Sequence, residues 1–568
     1  MEELKELTLN PGFVPILAAL LVLALPRTVR SPVIVIAALG AFWLLLEHEF
    51  GAAAARSQMG LPVVLLKLDE LNRIFGIALL TALVALGIYS GARRNRYEDA
   101  AILLLAGSAV SALFVGDLII SFVATLSVAG LAAAWVVFSS PLEGASPAGA
   151  RLLIWHGLEG LLLLVGVAVH LSSGVSATQV GRLDVTTIGG AFIFAALMIR
   201  IGAPAAHVWL KDAVAHASPT GAAAISSFTT MLGVYALARC FPSEPLLIWV
   251  GAAMMLLGAV YVAAEDDLRR AAAYGLTMQT GLCVLLVGLG TPLALAAAEA
   301  TAFATILALL ALQLTLGSVL ERHGSACVSQ LAGVGRTMPI SAFLMLGCGL
   351  AVSATPGLAL FAAHSASLEA ASQWDWRWLW TIIWAAPAML FVAFLMRPAL
   401  AAFTRTGQVS PIREAPFSMM LGSALALFLC LSVGLAPQWL FDLMPSRTSF
   451  DPFMIDRVGP QFQLLGGAGL AFLALRLARV TPTEREVRLL DIDALYRGPL
   501  ADAGRWAGVL ALRIYGAWQS WTRRMSALAG RSIEALARAC DRPYGQAGTA
   551  AATFLCLGAL LLIMFLVR

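Results

Sequence analysis

Long apolar runs separated by short polar clusters set the pattern of this chain. A run of about 20 apolar residues is long enough for a helix to cross the hydrocarbon core of a bilayer. Such runs fall at 12–28, 32–47, 72–91, 99–115, 117–138, 152–171, 187–202, 220–241, 246–264, 271–290, 293–318, 417–435, 462–479 and 549–567. Residues 338–396 hold two or three more. The pattern predicts an all-α polytopic membrane protein with roughly 14 to 17 transmembrane helices.

Composition agrees. The chain has 568 residues, 60% hydrophobic and 12% charged, against about 25% charged in a soluble domain. The acidic stretch Met1 to Leu9 and the lack of a small-residue cleavage site after the first apolar run argue against a cleavable signal peptide. Basic residues mark one side of the membrane: Arg27, Arg30, Arg93 to Arg96, Arg151, Arg269, Arg270, Arg405, Arg413 and the stretch from Arg476 to Arg542. The positive-inside rule places them in the cytoplasm and Glu47 and Glu49 opposite. Alternation fails somewhere in 293–396, which predicts a broken or re-entrant span there. None of the seven cysteines has CxxC spacing, so they read as packing residues rather than cluster or zinc ligands. There is no glycine-rich nucleotide loop. No cofactor, metal or nucleic-acid partner is expected.

The organisation reads as five parts. Residues 1–98 form a peripheral N-terminal set of helices, 99–400 a dense core, and 401–480 further transmembrane helices. Residues 481–546 are an amphipathic segment and 547–568 a terminal anchor. In 481–546, Trp506, Leu510, Ile514, Trp518, Trp521 and Met525 recur near helical spacing with Arg505, Arg513, Arg523 and Arg524 between them. That composition suits a helix lying on lipid or docking on a partner.

The most informative stretch is Arg200-Ile-Gly-Ala-Pro-Ala-Ala-His-Val-Trp-Leu-Lys-Asp-Ala213, followed by Gly233-Val-Tyr-Ala-Leu-Ala-Arg239. Charges at membrane depth are costly and mark ion paths. These residues resemble the antiporter-like subunits shared by respiratory complex I and the multisubunit Mrp-type cation/proton antiporters, the D-type subunit most of all. Gly116-Asp117-Leu118, Asp267-Leu-Arg-Arg-Ala-Ala-Ala-Tyr274 with Gln279 and Gly281, Arg336-Thr-Met-Pro339, Glu414-Ala-Pro416 and Leu490-Asp-Ile-Asp-Ala-Leu-Tyr-Arg497 extend the likeness in order along the chain.

The resemblance implies two inverted repeats of five helices, each with a helix broken at the midplane. Pro204 fits the first break, and Pro356 or Pro398 the second. It also implies a buried row of charges that passes protons, and here that row is depleted. The family's glutamate position aligns with Leu126, its first lysine with Arg200 and its second with Met231. Further histidine and lysine positions align with Thr301, Thr305 and Leu309, a second-repeat lysine with His364, and the last with Met396 beside Arg397. Arginine stays charged, with a pKa above about 12, so it cannot relay a proton by losing one.

Ionisable groups remain at Glu159, His156 and Glu299. One expectation is a Glu159–Arg200 pair standing in for the missing glutamate–lysine pair; the alternative has Glu159 facing a subunit interface or a water pocket. His207 and Asp212 are pathway or gate candidates, or else a buried histidine and a helix-capping aspartate. His156 and His364 are further candidates, and His216 a weaker one. Asp266, Asp267, Arg269 and Arg270 read as a solvated loop, and Trp374, Trp376, Trp378 and Trp380 as an interfacial aromatic belt.

The expected function is that of a membrane subunit in a cation/proton antiporter or complex I-like assembly of a bacterial inner membrane, with reduced or lost proton conduction and a scaffolding role. Its partners would be other membrane subunits, antiporter-like paralogues among them, with membrane lipid and H⁺ or Na⁺. Two alternatives stay open: a working channel rewired through Glu159, Arg200, His207 and His364, and a membrane partner of a soluble enzyme in a bicarbonate-uptake or hydrogenase-type complex.

Overall fold

The computed structural model describes residues 9–58, 61–92, 95–173, 180–404, 413–445, 450–478, 491–492 and 498–540. The chain divides into two units, Met1–Leu489 and Leu490–Arg568. The anchor expected at 549–567 lies outside the described residues.

The first unit opens with α1 (Phe13–Ala24), α2 (Arg27–Glu47), a hairpin of β1 (Gly51–Gln58) and β2 (Leu61–Leu68), α3 (Glu70–Tyr89), α4 (Arg96–Phe114), α5 (Val123–Phe138) and α6 (Ala145–Ser172). It continues with α7 (Ile188–Arg200), α8 (Val208–His216), α9 (Pro219–Phe228), α10 (Thr230–Cys240), α11 (Pro245–Ala264), α12 (Leu268–Leu289) and α13 (Pro292–His323). Then come α14 (Val334–Thr337), α15 (Pro339–Val352), α16 (Ala359–Ser372), α17 (Arg377–Phe391), α18 (Arg397–Thr404), α19 (Phe417–Leu435), α20 (Gln438–Asp442) and α21 (Ile455–Leu477). Among the described residues, twelve helical segments are long and apolar enough to cross a membrane, and α1, α7 and α15 are shorter apolar helices. The polytopic helical reading therefore holds. The antiparallel hairpin, in which Gly51 faces Leu68, is absent from the sequence reading. Its second strand buries Val63, Val64, Leu66 and Leu68, and a short continuous apolar run carries no period that separates strand from helix.

Helix ends follow local chemistry. Asp69 and Asn72 exchange hydrogen bonds at the start of α3, a capping box. Proline occupies the first turn of α9, α11, α13 and α15, where its missing N–H costs nothing. α12, α13 and the span made by α9 and α10 are the most enclosed, and α13 packs against α3, α9, α12, α15, α16 and α19. The last helix of the sequence-defined N-terminal set, α3, thus lies against the centre of the bundle.

Two spans are broken. α7 stops at Arg200 and α8 begins at Val208, with Pro204 between them. α15 stops at Val352 and α16 begins at Ala359, with Pro356 between them. Counting α15 and α16 as one crossing restores the alternation that fails in the sequence. Pro398 marks no break: a π-helical turn over Val392–Met396 precedes α18 and keeps the chain helical past the ring. Each break contains an alanine in the left-handed region, Ala205 at φ 76° and Ala354 at φ 50°. A non-glycine residue held there costs about 1–3 kcal/mol. Ala354→Gly is expected to stabilise the protein by about 1 kcal/mol. Thermal unfolding in detergent checks this, and a loss of stability would show that the methyl group contributes packing that outweighs the strain.

The second unit contains α22 (Pro499–Cys540), about 63 Å long at 1.5 Å per residue. It begins before and ends after the 506–525 stretch picked out by spacing. Trp506, Leu510, Ile514, Trp518, Trp521 and Met525 are all exposed on it.

Candidate functional site

The first broken helix gathers the buried charges. His156 and Glu159 lie one turn apart on α6 and so share a face. Arg200, at the end of α7, donates from Nε to Glu159 Oε1 at 2.6 Å and from Nη2 to the Leu126 carbonyl at 2.7 Å. The second Glu159 oxygen is 2.6 Å from His156 Nδ1. All three side chains are at most 2% exposed. Glu159 thus meets Arg200 directly, and the subunit-interface alternative does not describe its position. The guanidinium reaches the backbone of Leu126 on α5, the residue aligned with the family's glutamate.

Breaking a helix frees carbonyls that must be satisfied away from water. Trp209 Nε1 donates to the Ile199 carbonyl at 2.9 Å, and its ring packs 4.9 Å from that of His156. In the second break, Gln461 Nε2 on α21 donates to the Ala354 carbonyl at 2.9 Å. Each gap is therefore closed by a side-chain donor.

At the end of the bundle holding the N-termini of α6 and α12, two expectations change. Asp212 is not at a helix start: it lies inside α8, with Oδ2 2.6 Å from Arg151 Nε and its carbonyl 2.8 Å from His216 Nδ1. The 266–270 run is only partly solvated, since Asp266 and Arg269 are buried. Arg269 donates to the carbonyls of Val214, Ala215 and Ala217, closing the C-terminal end of α8. Asp266 accepts from the backbone N–H and hydroxyl of Ser329. A charged run is usually a solvated face, and its composition is the same when backbone and Ser329 receive it. Lys211, outside the expected site residues although inside the motif, is buried in α8 with its ammonium 5.7 Å from the Tyr274 ring centre. His207, just before α8, is buried with its ring 6.2 Å from that of Tyr274. Burial raises the Glu265 carboxyl above the ordinary carboxylate range, opposed mainly by Arg270, and the Glu265 carbonyl accepts from Arg397 Nη1 at 2.9 Å.

The surroundings of the second broken span are poorer in charge. His364 is buried on α16, and its Nε2 has no hydrogen-bond partner. Thr301 Oγ1 is 3.4 Å from Ser367 Oγ, and Gln313 Nε2 is 3.4 Å from Ser226 Oγ. Leu126, Met231 and Leu309 are buried apolar residues, and Met396 ends the π-helical turn. Glu299 lines a separate cavity with Asp69 and Arg239. Among the described residues, no three His, Cys, Asp or Glu side chains are grouped to hold a metal ion.

A bundle with two broken spans and buried ion pairs at one of them has the architecture expected from the antiporter-like resemblance. Residues 117–389 match the family described as NADH:quinone oxidoreductase/Mrp antiporter, transmembrane. The F(420)H(2) dehydrogenase subunit L of Methanosarcina mazei is 28% identical over 286 residues, covering 45% of this chain and 42% of that protein. Among solved structures, the Mrp complex from Dietzia sp. DQ12-45-1b has a chain with TM-score 0.67 at 18% identity, covering 81% of this chain and 98% of that one. A chain of the membrane-bound sulfane sulfur reductase, an archaeal respiratory membrane complex, has TM-score 0.68 at 18% identity, covering 98% and 99%. These two likenesses are of fold. The chain spans about half or less of the length of the curated relatives it matches.

Proposed function

We propose that this chain is an antiporter-like membrane subunit of a multisubunit Mrp-type or complex I-like assembly in a bacterial inner membrane. Its own charge row no longer relays protons, and it chiefly scaffolds and seals the assembly. Neighbouring membrane subunits, antiporter-like ones among them, carry the H⁺ or Na⁺ and any redox chemistry. The observation that carries this reading is the Arg200 guanidinium, held by Glu159 and the Leu126 carbonyl at the place of a titrating lysine. A permanent cation there repels protons and cannot deprotonate to pass one on.

Proton uptake into vesicles containing the purified chain tests the proposal. The expected flux after a pH jump matches that of empty vesicles. A flux about tenfold above them, equivalent to about 1.4 kcal/mol in barrier, would overturn it if Glu159→Gln or His207→Ala abolished that flux.

The rewired-channel reading draws support from one set of atoms. Thr230 Oγ1, Thr280 Oγ1, Thr305 Oγ1, Gln313 Oε1 and His364 Nε2 are buried without partners on α10, α12, α13 and α16. Buried polar atoms in such numbers suit bound water. The same vesicles decide between the two readings.

A further inference from the structure

A second polar place lies away from the Arg200 network. A cavity of about 600 Å³ is lined from the start of α3, the end of α10, the beginning of α13 and the residues after α20. Its walls are largely hydrocarbon, with Phe50, Leu68, Leu71 and Leu295 among them. Asp69, Glu70, Glu299 and Arg239 also line it, so carboxylates outnumber cations.

These groups are not equivalent. Arg239 Nη2 donates to Asp69 Oδ2 at 2.5 Å and to Tyr235 Oη at 3.3 Å. The other Asp69 oxygen accepts from the Asn72 N–H at 3.0 Å. Glu70 has interactions of its own. Glu299 differs: the residue is 7% exposed, and its buried Oε2 has no hydrogen-bond partner. A carboxyl oxygen without a hydrogen-bond partner is unfavourable away from water, so Glu299 is left as the unsatisfied carboxyl group lining the cavity.

The walls decide what answers it. A hard metal cation needs about six or more oxygen ligands at short range. No such group of carboxylates converges among the described residues. Cavities of about 300–1,000 Å³ with apolar walls and a few fixed polar groups take small organic molecules instead. We propose that this cavity binds an amphipathic organic cation, its primary ammonium group donating to Glu299 and its apolar body lying against Phe50, Leu71 and Leu295. The ammonium comes from a free amine or from an aminophospholipid headgroup. The inference does not depend on whether the chain conducts ions.

Titration of the purified full-length chain in detergent with dansylcadaverine, a fluorescent primary amine, tests it. Saturable binding is expected. Glu299→Gln is expected to weaken it at least about tenfold. Leu295→Trp keeps the carboxylate and fills the cavity, so it separates lost binding from lost folding and is expected to weaken binding likewise. In nanodiscs, displacement by phosphatidylethanolamine but not phosphatidylcholine would identify the lipid as the source; displacement by neither would identify a free amine. Unchanged binding in both variants would overturn the proposal. So would sodium chloride displacing the probe at lower concentration than an alkylammonium chloride.

Discussion

Glu159→Gln is expected to destabilise the folded protein by about 3–5 kcal/mol, the usual effect of removing one partner from a buried ion pair. Both side chains are at most 2% exposed and 2.6 Å apart. Glutamine fits the same space and still offers an oxygen to Arg200 Nε, but it carries no charge. Arginine cannot respond by losing its proton, so its charge would stay buried with only the Leu126 carbonyl and a neutral amide nearby. His156 would lose its carboxylate partner in the same step. Thermal or denaturant unfolding in detergent gives the number. The double variant Glu159→Leu with Arg200→Met removes both charges and should recover most of the loss, because paired burial itself adds little net stability. A single-variant loss below about 1 kcal/mol, in the range of exposed pairs, would mean that water reaches the guanidinium. The seal proposed for this helix would then fail.

The second large effect is expected from Arg269→Ala. One guanidinium holds the carbonyls of Val214, Ala215 and Ala217 at 2.7, 3.0 and 2.5 Å. Each buried acceptor left without a donor costs about 1–3 kcal/mol. Water entering the gap would recover part, so a net loss of about 3 kcal/mol is expected. The loss should be local as well as global: backbone amides across the α8–α9 junction should exchange with solvent faster, while those of α19 respond only through overall stability. Arg269→Lys should rescue little, since an ammonium cannot splay across three acceptors as the planar fork does. Unchanged exchange across the junction would show that the cap is redundant.

Both variants concern polar contacts between helices distant in the chain, and such contacts set the limit of sequence reading here. The spans were readable because crossing a bilayer needs a fixed length of apolar residues. The first break was readable from Pro204. The second was narrowed to Pro356 or Pro398, and a π-helical turn, which leaves no mark in composition, chose between them. Glu159 and Arg200 could be paired on paper because a buried carboxylate needs a cation and few were at hand. The cap alternative for Asp212 gives way to an ion pair with Arg151, which lies 61 residues away and so leaves no local mark. Arg269 and Asp266 were misread as solvated because a charge run has the same composition whether water or backbone receives it.

Apolar length and periodicity along the chain dictated that this protein is a membrane-embedded helical bundle. The residue types at a few positions set the expectation that its charge row is depleted. Those properties are local, since each helix satisfies its own backbone wherever it lies. The packing of α5, α6 and α7 settled that His156, Glu159 and Arg200 form one hydrogen-bonded group, and the packing around the breaks that Trp209 and Gln461 reach the carbonyls there. Distance and direction between side chains exist only once helices from different parts of the chain are set against one another.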